Sequence, residues 1–321
     1  MAERLGHDMN CNFTLEGDYV GLIFLYSLSF SLGLPANLLS LWGLYQLRHS
    51  GGGVQLFFLA NLLVSDLLQL LTLPLWMVYL HEKHKWNLNS IPCNIVGYIF
   101  YVNLYSSIGF LCLIALDRYL AIVHPLRSRR VRQVRVAVIC GLSIWIFMFF
   151  FCMSGLYPSV YRDKSHLCLE QYPVSEQYAA FKIATIILGF LVPCAILGFT
   201  SVCIAIELRK SPSVPDHERH KIVGTLVIIT VIFVLIFGPY HLVGGYKFVA
   251  FFLTNDHCRL EEALFLCYRI CYGLTSLNNL LDPLLYIFIC HDARDKFKQL
   301  LCCFKENPYT PAMADSSVQS Q

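Results

Sequence analysis

The hydrophobic and polar positions divide the chain into long apolar windows separated by short polar stretches. A helix needs about 20 mainly apolar residues to cross hydrocarbon, and seven windows of that kind run over 19–47, 54–80, 91–123, 136–161, 177–206, 222–246 and 270–290. Charges inside them are few: Asp66 in the second, Asp117 and Arg118 near the end of the third, Lys182 in the fifth and Asp282 in the seventh. The pattern predicts an all-α membrane protein, a seven-transmembrane helix bundle over 19–290 that follows an N-terminal tail over 1–18. After the last window, Phe297, Leu300 and Leu301 alternate with Lys296 and Lys298 as in a helix lying in the membrane interface. With Cys302 and Cys303 as palmitoylation sites, this amphipathic helix makes a segment over 291–303, before a disordered tail over 304–321.

Composition agrees. Hydrophobic residues are 56% of the chain, charged residues only 14%, and mean hydropathy is +0.57; soluble domains are about a quarter charged. Soluble enzymes and nucleic-acid-binding modules are thereby excluded, and a net charge of +3 implies no polyanionic partner. The position of the basic residues says more. Segments after windows one, three, five and seven hold Arg48, Arg127, Arg129, Arg130, Arg132, Arg135, Arg209, Lys210, Arg219, Lys221, Arg294, Lys296, Lys298 and Lys305. In loops, the opposite set holds Arg4, Lys83, Lys85, Arg162, Lys164 and Arg259, while Lys247 and Arg269 stand at the edges of windows six and seven. Lys and Arg collect on the cytoplasmic side, so a multi-pass plasma-membrane protein is expected, with its N-terminus extracellular and its C-terminus cytoplasmic. The first window is too long, and preceded by too many polar residues, for a cleaved signal peptide. Asn12, in the sequon Asn12-Phe13-Thr14, is a glycosylation site on the expected outer side.

Of 14 cysteines, Cys11, Cys93, Cys168 and Cys258 lie at or beyond the outer boundary. Four cysteines in an oxidising compartment allow three connectivities. One of them joins Cys93 to Cys168, pinning the long loop over the bundle mouth, and leaves Cys11 for Cys258.

Charged groups at membrane depth must face the bundle interior and find partners. Asp66, Asn103, Ser107, Asn278 and Asp282 carry five oxygen-bearing side chains able to converge on one polar site. Two carboxylates there do not both stay ionised alone; a proton or an allosteric sodium ion neutralises the pair. No other cofactor or metal is expected. Asp117-Arg118-Tyr119 closes the third window at the inner face, where an arginine is either held by its own Asp117 or released to a partner. Pro35, Pro74, Pro193, Pro239 and Pro283 each remove a backbone hydrogen bond and are expected to bend their spans.

In chain order these residues resemble the rhodopsin-like family of G-protein-coupled receptors over about 19–301: Gly33-Leu34-Pro35-Ala36-Asn37, Leu62 through Asp66, Cys93, Asp117-Arg118-Tyr119, Trp145, Pro193, Phe233 through Pro239, and Asp282-Pro283-Leu284-Leu285-Tyr286. The resemblance implies a receptor that activates a heterotrimeric G protein when an extracellular ligand moves span six outward. Asp117, Arg118, Tyr119, Leu126 and Tyr286 would form the G-protein-coupling residues. Phe237 stands where most relatives have a tryptophan, Ser201 where many have a tyrosine, and Arg219 and His220 where some keep an acid that locks Arg118. Appreciable basal activity is the expectation. Ser316, Ser317 and Ser320 are tail hydroxyls whose phosphorylation would recruit arrestin.

Phe100 stands where amine receptors have an aspartate, and span seven lacks the lysine that holds retinal. Tyr105-Ser106-Ser107, Phe237-Gly238-Pro239-Tyr240-His241, Cys168-Leu169-Glu170, Leu260-Glu261-Glu262 and Leu274 through Asn278 look similar to the proton-sensing and lysolipid-linked receptors, and nucleotide receptors share part of this pattern. Protons are one expected stimulus. His81, His84, His166 and His257 fall on the outer side, with Glu170 nearby, and histidines titrate in the range of acidic tissue. Against this, Met148 stands where the subgroup's strong proton sensors carry a glutamate. The other expectation is a lysolipid or similar anion, with Lys182, Arg269 and Lys247 at its head group. The pocket would then include Phe100, Tyr101, Glu170, Lys182, Phe237, Tyr240, His241 and Arg269. An intramembrane aspartyl protease is disfavoured by the surroundings of Asp66 and Asp282, and a transporter or channel by the lack of paired broken-helix repeats.

Overall fold

A computed structural model describes residues 17–47, 53–156, 160–162, 166–172, 174–210 and 215–289. Cys11, Asn12, Cys302, Cys303 and the amphipathic run lie outside the described residues. Spans one to four are single helices: α1 (Tyr19–Leu47), α2 (Val54–His81), α3 (Ser90–Val123) and α4 (Val134–Leu156). Span five joins α5 (Glu176–Ile186) to α6 (Val192–Lys210), and span six joins α7 (Asp216–Ile232) to α8 (Gly238–Leu253). Span seven joins α9 (His257–Leu274) to α10 (Asn278–Ile289). Between spans four and five, β1 (Tyr161–Arg162) pairs antiparallel with β2 (Leu167–Cys168), Tyr161 opposite Cys168.

Burial separates the spans. In the apolar window of α3, 78% of residues are buried, against 17% in α4. The third span is therefore the axis of the bundle and the fourth a stave against lipid. Leu39, Trp42, Ile139, Phe150, Leu235 and Leu242 are exposed, a belt of large apolar side chains that only hydrocarbon would cover.

Among the described residues, six spans are long and apolar enough to cross a membrane by themselves. The seventh differs, and corrects the expected boundaries: α9 starts at His257, well before 270, and carries Glu261, Glu262 and Arg269 into the span. It is also broken by a 3-10 turn at Thr275–Leu277. The window 136–161 overshoots, since α4 ends at Leu156 and Tyr161 opens the hairpin. The sixth span extends beyond 222–246 at both ends, placing Arg219 and His220 inside α7.

Three prolines have a legible accommodation. A helical proline orphans the carbonyl four residues earlier. For Pro193 and Pro239 those carbonyls belong to Gly189 and Leu235, and both lie in π turns, Ile187–Leu191 and Phe233–Phe237, that absorb the missing bond. For Pro283 the carbonyl belongs to Asn279, which instead accepts the Asn37 Nδ2 amide at 2.6 Å. A Cβ on Gly33 would stand 3.2 Å from that same oxygen, so glycine lets span one approach span seven. Pro35 and Pro74 stay inside unbroken α-helix.

Candidate functional site

Polar side chains gather at three levels of the bundle, and the first is the end carrying the disulfide. Cys93 and Cys168 are bonded, which fixes β2 over α3 and aims the next residues, Leu169 and Glu170, into the bundle mouth. There four buried charges close a ring. His84 Nδ1 lies 3.0 Å from Glu170 Oε1 and its Nε2 lies 3.0 Å from Asp18 Oδ1. Arg269 completes it, with Nε 2.9 Å from Asp18 Oδ2 and Nη1 2.9 Å from Glu170 Oε1. The ring thus joins the start of α1, the turn after α2, the loop after β2, and α9.

Both Lys83 and His84 have positive φ, 52° and 59°. That left-handed conformation is uncommon for side chains with a Cβ. Helix α2 ends here, with the Lys83 and His84 amides bonded back to Leu80 and Tyr79 carbonyls, and the bend turns the imidazole inward. A neutral imidazole would present a lone pair to one of the carboxylates, so the geometry calls for the doubly protonated ring. Burial opposes that charge, but the Glu170 carboxylate and the hydrogen bonds to Asp18 and Glu170 prevail and raise the His84 pKa to about 9. Burial also pushes the Asp18 pKa up, and is outweighed by its hydrogen bond to His84 and the Arg269 charge, so that it falls below its ordinary value.

Beneath the ring lies an aromatic cavity of about 40 Å³, room for a few waters. Tyr101, Tyr172, Tyr178, Tyr268 and Tyr272 line its wall, with Glu170, Arg269 and Lys247 also reaching it. Lys182 sits behind the wall, fully buried, donating to the hydroxyls of Tyr101 and, at 3.0 Å, Tyr240.

The second level is mid-bundle. Asn278 Nδ2 donates to Asp282 Oδ2 at 2.6 Å and reaches Asp66 Oδ1 at 3.5 Å, while Ser107 Oγ donates to Ser65 Oγ at 3.1 Å and Ser65 Oγ to Asn103 Oδ1 at 3.3 Å. These contacts form two groups, Asp66–Asn278–Asp282 and Ser107–Ser65–Asn103, which meet where the Ser107 hydroxyl reaches Asp66; the structure thus brings the five expected residues together, and adds Ser65 between Ser107 and Asn103. Asp66 Oδ2, Asp282 Oδ1 and Asn278 Oδ1 are buried without a protein hydrogen-bond partner. Such oxygens suit a shared proton or a hard cation.

At the third level, Arg118 Nη2 lies 2.7 Å from Asp117 Oδ2, and Arg132 Nε lies 2.8 Å from the other oxygen, Oδ1. One carboxylate thus serves two arginines. Tyr119 shares a hydrogen bond with His124 Nε2 at 3.1 Å, and Leu126 is 90% exposed. Tyr286 lies against Gly43 so closely that a Cβ there would stand 2.0 Å from its hydroxyl.

Similarity to known proteins points the same way. The pattern of the 7 transmembrane receptor (rhodopsin family) matches residues 36–286. The chain belongs to that family. It is 31% identical over 301 residues to the human (Homo sapiens) "Probable G-protein coupled receptor 132", covering 92% of this chain and 77% of that one. It is 33% identical to the rat (Rattus norvegicus) "Uracil nucleotide/cysteinyl leukotriene receptor", covering 86% and 81%, and 33% identical to human "G-protein coupled receptor 65", covering 82% and 81%. The protein is a G-protein-coupled receptor, a multi-pass membrane signalling protein and not an enzyme.

The receptor distributes the expected pocket residues unevenly. Tyr101, Glu170 and Arg269 line the cavity; Phe100, Lys182, Phe237, Tyr240 and His241 pack behind or below it. Phe100 stacks on Tyr272 at 4.8 Å, and His241 stacks on Phe190 at 5.1 Å while bonding the Phe237 carbonyl at 2.7 Å. Arg269 lines the cavity while its guanidinium is held by two carboxylates, Asp18 and Glu170. The histidines do not cluster either. His81 and His166 are exposed, His257 lies against Phe251 at 4.4 Å, and His84 alone of the four enters the ring. Asp18 belongs to the tail by its sequence, yet it is fully buried in the ring; its one signal is an acid immediately before an apolar run. Cys258 is disulfide-bonded, while Cys11 lies outside the described residues.

Proposed function

We propose that the disulfide end of this G-protein-coupled receptor faces the outside, that the Arg118 end engages the heterotrimeric G protein, and that extracellular acidification is its stimulus. The observation that carries this reading is His84, with a carboxylate at each ring nitrogen. The closed ring binds a proton that an open ring gives up more readily, so protons favour closure. The sign follows from the His84 pKa, raised from 6.5 to about 9 on closure. Stabilisation is complete below about pH 6.5 and fades as pH rises through about 9. Between pH 8 and pH 6 the closed-to-open ratio rises roughly twentyfold by linkage. Arg269 carries this bias into span seven, whose other half holds Asp282 and Tyr286.

At the far end, Arg118 and Tyr286 turn to the G protein together with Leu126, and Arg132 keeps Asp117 satisfied when Arg118 leaves. Mid-bundle, Asp66 and Asp282 hold a proton or a sodium ion that opposes or permits the change. The test is G-protein activation in cells expressing the intact receptor between pH 8 and pH 6, with surface expression measured in parallel. The reading predicts an acid-dependent rise that His84→Gln flattens and that His81→Gln and His166→Gln leave intact. A flat response from a receptor shown to be at the surface contradicts it.

A further inference from the structure

The connection between α3 and α4 carries a run of arginines broken by one serine, Arg127-Ser128-Arg129-Arg130, wound as a 3-10 turn. The arginines are exposed, as charged side chains usually are, whereas Ser128 is only 3% exposed. Every polar group of that serine is engaged. Its hydroxyl donates to the Leu120 carbonyl at 2.9 Å. Its amide donates to the His124 carbonyl at 2.9 Å, and its own carbonyl accepts the amides of Val131 and Arg132 at 2.9 and 2.8 Å. Helix α3 ends at Val123, so Leu120 lies in its last turn, where carbonyls run out of partners farther along the helix. The Ser128 hydroxyl therefore ties the turn back to the helix that precedes it. Two residues already placed at this end flank the tie. Leu126, two positions earlier, is 90% exposed, and Arg132, whose amide Ser128 holds, reaches Asp117 Oδ1 with its Nε at 2.8 Å.

We propose that Ser128 is a positioning residue for G-protein coupling, acting through its hydrogen bond to Leu120 to hold Leu126 out at one place and to deliver Arg132 to Asp117. Being buried, it does not itself meet the G protein. A short 3-10 turn holds a position poorly by its own backbone, because its hydrogen-bond geometry is inferior to that of an α-helix. A side-chain bond from the middle of the turn to the preceding helix removes freedom that docking would otherwise have to freeze. Serine suits the position because its compact hydroxyl can donate to a nearby carbonyl from a buried site. Alanine would fill the same space and lose the tie. This role rests on the reading that the Arg118 end engages the G protein, and it is independent of what stimulates the receptor.

The test compares the full-length receptor in nanodiscs with Ser128→Ala, Leu126→Ala and the double variant. Guanine-nucleotide exchange is followed on the heterotrimer that the unaltered receptor activates best among representatives of the Gα classes, as the heterotrimer concentration is raised. Assays at both pH 6 and pH 8 keep the outcome from depending on acid as the stimulus, and hydrogen–deuterium exchange reads the turn itself without any G protein. Ser128→Ala should speed amide exchange over 124–132. It should raise the KM for the heterotrimer by about 2- to 12-fold, the worth of one hydrogen bond, while the maximal exchange rate and the thermal midpoint hold. On the Leu126→Ala background the same change should add less than about twofold, because residues acting through one contact are not additive. Unchanged amide exchange, a KM that stays fixed in Ser128→Ala while Leu126→Ala raises it, or an equal cost on both backgrounds overturns the role of Ser128. If Leu126→Ala itself costs nothing, the reading of this end as the G-protein face fails, and the role of Ser128 with it. Alanine leaves the backbone bonds of the turn in place, so the variant is expected to fold.

Discussion

The two ion-paired ends of the receptor are built on opposite principles. At the disulfide end, four buried charges from four parts of the chain close a ring, and removing one strands the others away from water. At the Arg118 end, Asp117 bonds its own neighbour in the same helix and an arginine in the turn just before α4, with the arginine side chains 27% and 31% exposed. The first arrangement couples distant segments and is costly to break. The second is local and cheap, as suits an arginine that must be released. A receptor needs both, a stiff sensor that gathers segments and a loose effector end that lets go.

The largest expected effect is therefore Arg269→Met. It leaves Asp18 and Glu170 with His84 alone, and breaking a buried pair from one side costs about 3–5 kcal/mol. The loss should appear as a lower thermal midpoint in detergent and reduced surface expression. Adding Asp18→Asn and Glu170→Gln to Arg269→Met should recover much of the loss, because no carboxylate then remains unpaired. Gly43→Ala comes next. The added methyl must displace Tyr286, at a cost of about 1–3 kcal/mol for overpacking, and a raised basal G-protein signal with surface expression preserved is the expected readout. Arg132→Ala should be the mildest. A part-exposed pair is worth about 0–1 kcal/mol, so stability should hardly change. Arg118 then becomes the sole partner of Asp117 and harder to release, and maximal G-protein activation should fall slightly. If Arg132→Ala destabilised the receptor as strongly as Arg269→Met, the contrast between the two ends would fail.

Much of this architecture is legible in the amino-acid sequence. The first six spans follow from apolar length alone, and Cys93–Cys168 is among the open pairings. Asp66, Asn103, Ser107, Asn278 and Asp282 can be grouped because charge in hydrocarbon must seek company and because helical spacing places each on a face. The ring is not legible. Its members lie in turns and at helix starts, where no periodicity reports direction, and Asp18 is one acid among several in a polar tail. Sequence does not separate His84 from His81, since the left-handed turn at Lys83 and His84 decides which imidazole points inward. The apolar window of span seven is shorter than its helix because Glu261 and Arg269 dilute the hydropathy, although both are buried. The π turns before Pro193 and Pro239 likewise leave no mark beyond the prolines themselves.

The proposed proton sensing at the disulfide end depends above all on His84 carrying two protons within the closed ring, and ¹⁵N NMR of histidine-labelled receptor, assigned by comparison with His84→Gln, measures this directly. The prediction is a His84 that titrates between the ordinary histidine value and about 9, as an average over open and closed rings, with the doubly protonated imidazolium gaining population from pH 8 to pH 6. A neutral His84 at pH 7.5 that takes up its second proton only below about pH 6.5, the ordinary histidine value, would contradict it.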